Sequence, residues 1–235
     1  MDAGEFFDEN YEFYNKDLNH HDHDFLMFIK NNKNRNGALL DVGGGSGNFS
    51  KLVVNNFPDF YVTIIDPSRK LLSRIDNPKI NKIIGKLPDD ISLNRKYDYI
   101  HMKEVLHHII GKTVSDSNNL LKDSLNSLKP FLNEEGYLMI NELYYEGFLF
   151  PKLPSYIIFY LLLLQRKFNL KIPSSEFIVG LQVYFYTRKE LKLILEECGF
   201  EIVEYKTTKW RSCIKKNILL IKNWGRVLIV AKKIK

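Results

Sequence analysis

The stretch Leu39-Leu40-Asp41-Val42-Gly43-Gly44-Gly45-Ser46-Gly47 decides how the rest of the chain is read. An apolar run ends in a carboxylate, passes into a turn rich in glycine, and gives way to a helical pattern near Asn48. Glycine serves two physical ends here: it takes positive φ without steric cost, and it lets a ligand lie against bare backbone. The helix that follows turns its first, unsatisfied N–H groups toward the same spot. A dinucleotide motif G-x-G-x-x-G read from Gly43 needs glycine or alanine where Asn48 stands; read from Gly45 it needs one in place of Ser50. The sequence also has no phosphate loop of the form G-x-x-x-x-G-K-[ST].

Working outward, Val62-Thr63-Ile64-Ile65-Asp66 ends a second apolar run on an acidic residue. A carboxylate at that strand tip can accept both hydrogen bonds of a ribose diol; the competing role for Asp66 is a helix N-cap before Pro67. Strands are expected at 38–42, 61–66, 82–85, 97–102, 136–143, 200–208 and 226–232. Helical patterns lie between them, which is the signature of a mostly parallel sheet covered on both faces. In 113–129, Val114, Leu121, Leu125 and Leu128 share a helical face, with Pro130 beyond its end. Thr187 and Glu190 form a capping-box pattern, Leu191, Ile194, Leu195 and Cys198 line one face, and Gly199 stands where a left-handed cap would end the helix.

The composition is that of an ordinary globular protein, 45% hydrophobic and 26% charged. The most apolar stretch, 156–164, is too short to span a bilayer. The acidic start Met1-Asp2-Ala3-Gly4-Glu5 does not read as an export signal, and Cys198 and Cys213 alone cannot build a disulfide framework or zinc site. A reducing cytoplasm is the expected location. Net charge is +6, yet residues 1–30 are strongly acidic while 201–235 hold ten Lys or Arg against Glu201 and Glu204. That basic tail reads either as a solvated surface or as a patch for an anionic partner such as nucleic acid.

These pieces resemble the class I S-adenosylmethionine-dependent methyltransferases. The likeness rests on residues 41–47, Asp66, Tyr97-Asp98-Tyr99-Ile100, Val105-Leu106-His107-His108-Ile109, Leu128-Lys129-Pro130 through Gly136-Tyr137-Leu138, and Phe185-Tyr186-Thr187-Arg188-Lys189-Glu190-Leu191 with Gly199-Phe200. The resemblance implies S-adenosylmethionine as cofactor, with Gly43, Gly45 and Gly47 lining its methionine end, Asp41 near the amino group, Asp66 on the ribose and Pro67 on the adenine. Gly85, Lys86, Leu87 and Met102 complete the implied cofactor set. Lys86 departs from the pattern, because family members often carry an acidic or polar residue there to meet the adenine.

Methyl transfer from a sulfonium needs alignment and exclusion of water rather than a metal or a covalent step. A hydroxyl acceptor gains from a base, and His101, Glu104, His107 and His108 follow or end the fourth strand. His108, His107 and Glu104 are the catalytic candidates; the alternative is a structural or cofactor-side role for the histidine pair. His20, His21 and His23 with Asp22 and Asp24 can be read as a metal cluster, or more simply as the polar start of a helix; no metal is expected. Met102-Lys103-Glu104 is not the Asn/Asp-Pro-Pro-Tyr/Phe turn of enzymes acting on base or amide nitrogens. A small apolar or aromatic acceptor, methylated on oxygen, is therefore expected.

The expected architecture is a single α/β domain: a Rossmann-like, doubly wound seven-stranded sheet of order 3-2-1-4-5-7-6 with strand seven antiparallel, the order being implied by the resemblance. Residues 1–36 form an N-terminal helical cap, 37–143 the cofactor-binding core, 144–186 an apolar insertion and 187–235 the end of the core. Tyr144, Tyr145, Phe148, Phe150 and the 156–164 helix either wall the acceptor pocket or form a homodimer interface. Tyr11, Phe13 and Tyr14 are placed either over the cofactor or in ordinary packing. Two further classes stay open: an RNA or protein methyltransferase using the basic tail, and a non-catalytic protein of the same fold.

Overall fold

The computed structural model describes residues 3–12, 18–32, 37–89, 93–168, 181–211 and 219–234. Seven strands form one sheet in the order β3-β2-β1-β4-β5-β7-β6. They are β1 Ala38–Val42, β2 Tyr61–Asp66, β3 Ile80–Ile84, β4 Tyr97–Lys103, β5 Leu132–Gly147, β6 Phe200–Lys209 and β7 Ile221–Lys233. β1 to β5 pair in parallel with one another, while β7 runs antiparallel between β5 and β6. Every residue of β1 is buried, as expected of a central strand covered on both faces.

Helices α1 Ala3–Glu9, α2 His20–Asn31, α3 Asn48–Asn56, α4 Arg69–Ser73, α5 Val114–Leu128, α6 Leu153–Phe168 and α7 Arg188–Glu197 cover the sheet. Local chemistry sets their ends. Capping boxes open α2 at Asn19 with Asp22, α5 at Thr113 with Asp116, and α7 at Thr187 with Glu190. Gly199, at φ +71°, stands in the left-handed conformation just beyond α7. His20, His21 and His23 do begin a helix, and both His20 and His21 reach Thr208 of β6. The described residues form two large apolar cores, one holding Val42, Met102, Leu121, Tyr144 and Ile229, the other Leu39, Phe49, Ile64, Tyr99 and Met139, and a smaller third around Tyr145, Ile158, Leu162 and Ile221.

β5 and β7 are longer than their apolar patterns suggest, because the two pair antiparallel from Tyr137↔Lys232 to Gly147↔Ile221. Ladder hydrogen bonds hold polar positions such as Glu146 and Asn223 in the strands, so hydrophobicity undercounts their length. β5 therefore carries Tyr144 and Tyr145 into the sheet. α6 packs on this ribbon, burying Ile158, Phe159 and Leu162 against Tyr144, Tyr145 and Ile221.

Candidate active site

The apolar run of β1 buries it in the sheet, and the chain then turns at the strand's C-terminal end. Gly43, Gly45 and Gly47 all have positive φ, at 66°, 54° and 75°. The turn is pinned by Gly43 N–H donating to Ile65 O at 2.7 Å and Gly47 N–H to Gly44 O at 2.9 Å. A Cβ on Gly43 would lie 2.4 Å from Val105 Cγ2, whereas one on Gly45 would meet only Leu71, at 3.8 Å. Gly43 is thus required by the protein's own packing, while Gly45 leaves a space that its neighbours do not fill. That space belongs to a cavity of about 350 Å³ at the C-terminal ends of β1, β2 and β4, the place where open α/β sheets bind ligands.

Asp66, at the tip of β2, faces the cavity. Its Oδ2 accepts from Gly45 N–H at 2.9 Å and its Oδ1 from Ser68 N–H at 2.8 Å, so the carboxylate braces the glycine turn. Burial pushes its pKa up to about 6, against the opposing pull of those two N–H groups. Asp41 is also buried, with Oδ1 accepting from His101 Nδ1 at 2.8 Å and Oδ2 from Ser50 Oγ at 2.7 Å.

At the other end the chain leaves β4 through Glu104, a non-glycine residue at φ +54°. Such a conformation costs on the order of 1–3 kcal/mol and must be over-determined by its surroundings. Glu104 N–H donates to Asn141 O at 2.8 Å, and its carboxylate is ion-paired with Arg226 of β7. Burial lowers the pKa of Arg226, while Glu142 and Asp22 raise it. Beside this pair, Lys103 Nζ reaches Asp22 Oδ2 of α2 at 2.7 Å.

The two adjacent histidines part company. His107 Nδ1 lies 2.7 Å from Glu142 Oε1, and Glu142 Oε2 accepts from Leu106 N–H at 2.8 Å, so His107 and Glu142 stabilise the short 3-10 turn Leu106–His108 from within. His108 faces the cavity, edge-on to Phe7 of α1 with ring centroids 5.3 Å apart.

Of the residues singled out in the sequence, Asp41, Gly43, Gly45, Asp66, Pro67, Gly85, Lys86, Leu87, Glu104 and His108 line the one cavity. Gly47 caps α3 beneath it, Met102 is wholly buried in the core, and His107 turns inward. Of the two readings of the insertion, the one that makes it a wall of this cavity is not met by its aromatic residues. Tyr144 and Tyr145 are buried under α6, while Phe148 and Phe150 are exposed, because the longer β5 carries the insertion beyond the cavity. Tyr11 sits between Lys70 and Arg74, 4.0 and 4.1 Å from the two cations; Phe13 and Tyr14 lie outside the described residues. Phe7, Ile110, Leu120, Glu142 and Arg226 were missed. Phe7 carries no local signal, and Arg226 reads simply as one cation of a basic tail. Several cations of that tail are committed internally: Arg226 to Glu104, Lys232 to Glu201 at 3.6 Å and Lys233 to Glu134 at 2.9 Å.

A glycine turn over an unfilled space, an acidic strand tip beside it and this strand order define a nucleoside-binding methyltransferase domain. A family model described as a methyltransferase domain matches residues 14–205, and the chain belongs to that family, among the class I S-adenosylmethionine-dependent methyltransferases. Solved structures share the fold. Magnesium protoporphyrin IX methyltransferase from Synechocystis PCC 6803, with bound adenosylhomocysteine, is 14% identical over 98% of both chains, with a TM-score of 0.62. An S-adenosylmethionine-dependent methyltransferase from Methanosarcina mazei is 17% identical over 88% of this chain and 97% of its own, TM-score 0.59. One from Clostridium acetobutylicum is 14% identical over 98% and 97%, TM-score 0.58.

Proposed function

We propose that this enzyme transfers the methyl group of S-adenosylmethionine to an oxygen of a small apolar or aromatic acceptor. The observation that carries the reading is the single cavity that joins the glycine turn and Asp66 to His108. The donor supplies an electrophilic sulfonium methyl; the rest is positioning by the protein. Backbone at Gly43 and Gly45 receives the amino-acid tail, Asp66 accepts from the ribose hydroxyls, and Pro67 and Leu87 give apolar surface to the base.

Phe7, Val105, Ile109, Ile110 and Leu120 make much of the remaining wall apolar, which excludes water and favours an acceptor without charge. Of the two histidines that line the cavity, His101 is bound to Asp41, and His108 is the one placed to take a hydroxyl proton near neutral pH. The internal pairing of the C-terminal cations speaks for a small acceptor over an RNA.

The test combines calorimetry with adenosylhomocysteine and methyl transfer from donor labelled on its methyl, offered to a panel of phenols, carboxylic acids and amines. Binding together with label on phenolic oxygen supports the reading. Failure to bind the nucleoside, or label recovered only on amine, RNA or protein, overturns it.

A further inference from the structure

Half of the exposed large hydrophobic side chains among the described residues fall within 148–168. Leu149 and Phe150, in the turn after β5, are 85% and 68% exposed with Phe148 beside them, and Tyr160, Leu164 and Phe168 run along α6 on the face opposite the one packed against β5. Single exposed leucines are ordinary, but a contiguous cluster marks a surface made to be covered.

The charges around the cluster choose its partner. α6 has no carboxylate, and Arg166 and Lys167 at its last turn are exposed and ion-pair with no described residue. Lys152, before its first turn, is half exposed and pairs with Glu190. A second copy of the chain would bring the same cations and no compensating helix anion. Tyr160 on the stripe has an apolar ring and a polar tip, a combination suited to the level of lipid headgroups. Apolar side chains flanked by cations match an anionic bilayer surface, and no described helix is long and apolar enough to cross a membrane.

The location supplies a purpose. Tyr156 and Phe159 of α6 pack edge-on against Tyr184, with centroids 6.0 and 6.3 Å apart. Tyr184 N–H donates to His107 O at 3.1 Å, and the next residue, His108, is cavity wall. We propose that residues 148–150 and the outer stripe of α6 dock on the surface of an anionic phospholipid bilayer, presenting the cavity to an acceptor held in the lipid. The second half of that statement rests on the proposed methyl transfer to an apolar acceptor. The docking itself does not.

Vesicle co-sedimentation, with neither donor nor acceptor present, isolates the docking. The wild-type chain is expected to bind mixed phosphatidylcholine–phosphatidylglycerol vesicles roughly tenfold or more tightly than phosphatidylcholine alone, as two cations near an anionic surface imply. Leu149→Glu with Phe150→Glu should abolish binding, and Arg166→Glu with Lys167→Glu should remove the preference for phosphatidylglycerol. Both variants should keep wild-type affinity for adenosylhomocysteine, which shows that they fold. The proposal is overturned if mixed vesicles do not bind, or if the Leu149→Glu, Phe150→Glu chain binds as wild type. Light scattering that shows a dimer dissociated by Leu164→Glu would assign the face to a second copy. Hydrogen-exchange protection of this face in the free monomer would assign it to another part of the chain.

Discussion

The two ends of the cavity are built by different means. The donor end is one short loop and one strand tip: Gly43 to Gly47 present backbone, and Asp66 braces them through Gly45 N–H. The other end, where the proposed acceptor would sit, is assembled from distant pieces. Glu104 is held by Arg226 from β7, Lys103 by Asp22 from α2, and His107 by Glu142 from β5. On the proposed reading, the end that takes the fixed cosubstrate is written largely in local sequence, whereas the end that would meet the acceptor depends on ion pairs that exist only after the sheet has closed.

The comparison is broken most forcefully at Arg226. Arg226→Met should lower folding stability by about 3–5 kcal/mol, because it removes the cation that faces the buried Glu104 carboxylate. Denaturant unfolding should show the loss, and Glu104→Gln in the same chain should recover much of it. A similar loss at the donor end from Ser50→Ala would erase the distinction.

His108→Ala should reduce turnover by about a hundredfold, the scale of a lost general base, with adenosylhomocysteine affinity unchanged by calorimetry. His107→Ala should instead appear as lost stability. Equal turnover in wild type and His108→Ala removes the base role.

Asp66 sharpens the contrast through pH. In the proposed ribose contact its carboxylate must be ionised to accept both hydroxyls, so donor affinity should fall about tenfold per unit as pH drops below the pKa of about 6. The sign for folding is opposite. A carboxylate whose pKa rises on folding costs stability when ionised, about 3 kcal/mol at most here. That cost is fully present above about pH 6 and is relieved as pH falls toward the ordinary 3.8. Asp66→Asn should weaken binding at neutral pH and flatten its dependence on acidity, both readable by calorimetry across pH 5 to 8, a range that brackets histidine as well.

The smallest effect on the fold is expected at Gly45. Gly45→Ala pays about 1 kcal/mol for left-handed backbone and otherwise meets only Leu71, yet should weaken adenosylhomocysteine binding tenfold or more. Gly43→Ala, driven into Val105, should lose stability and binding together, which thermal melts alongside calorimetry would separate.

The same division explains what was legible in the sequence. The strand-turn-helix at 39–48, the acidic end of β2 and the Thr187 capping box are local patterns, and the structure reproduces them. The full lengths of β5 and β7 were not legible, since cross-strand pairing rather than apolar alternation holds their ends. The aromatic insertion reads either as a cavity wall or as a dimer interface, because composition reveals that a surface must be covered, but not by what. The partition of His107 and His108 depends on Glu142, a buried carboxylate that looks like any strand acid until the register places it beside the turn.

Asp8 of α1 accepts from Ser68 Oγ at 2.5 Å and from Lys70 N–H at 2.9 Å. Its helix therefore hangs from the very loop that follows Asp66, and Phe7 reaches from that helix to His108. The proposed ribose site and the Phe7 side of the cavity thus share one mount. If a nucleoside settling first braces the frame for the second guest, adenosylhomocysteine should be a competitive product inhibitor against the donor alone.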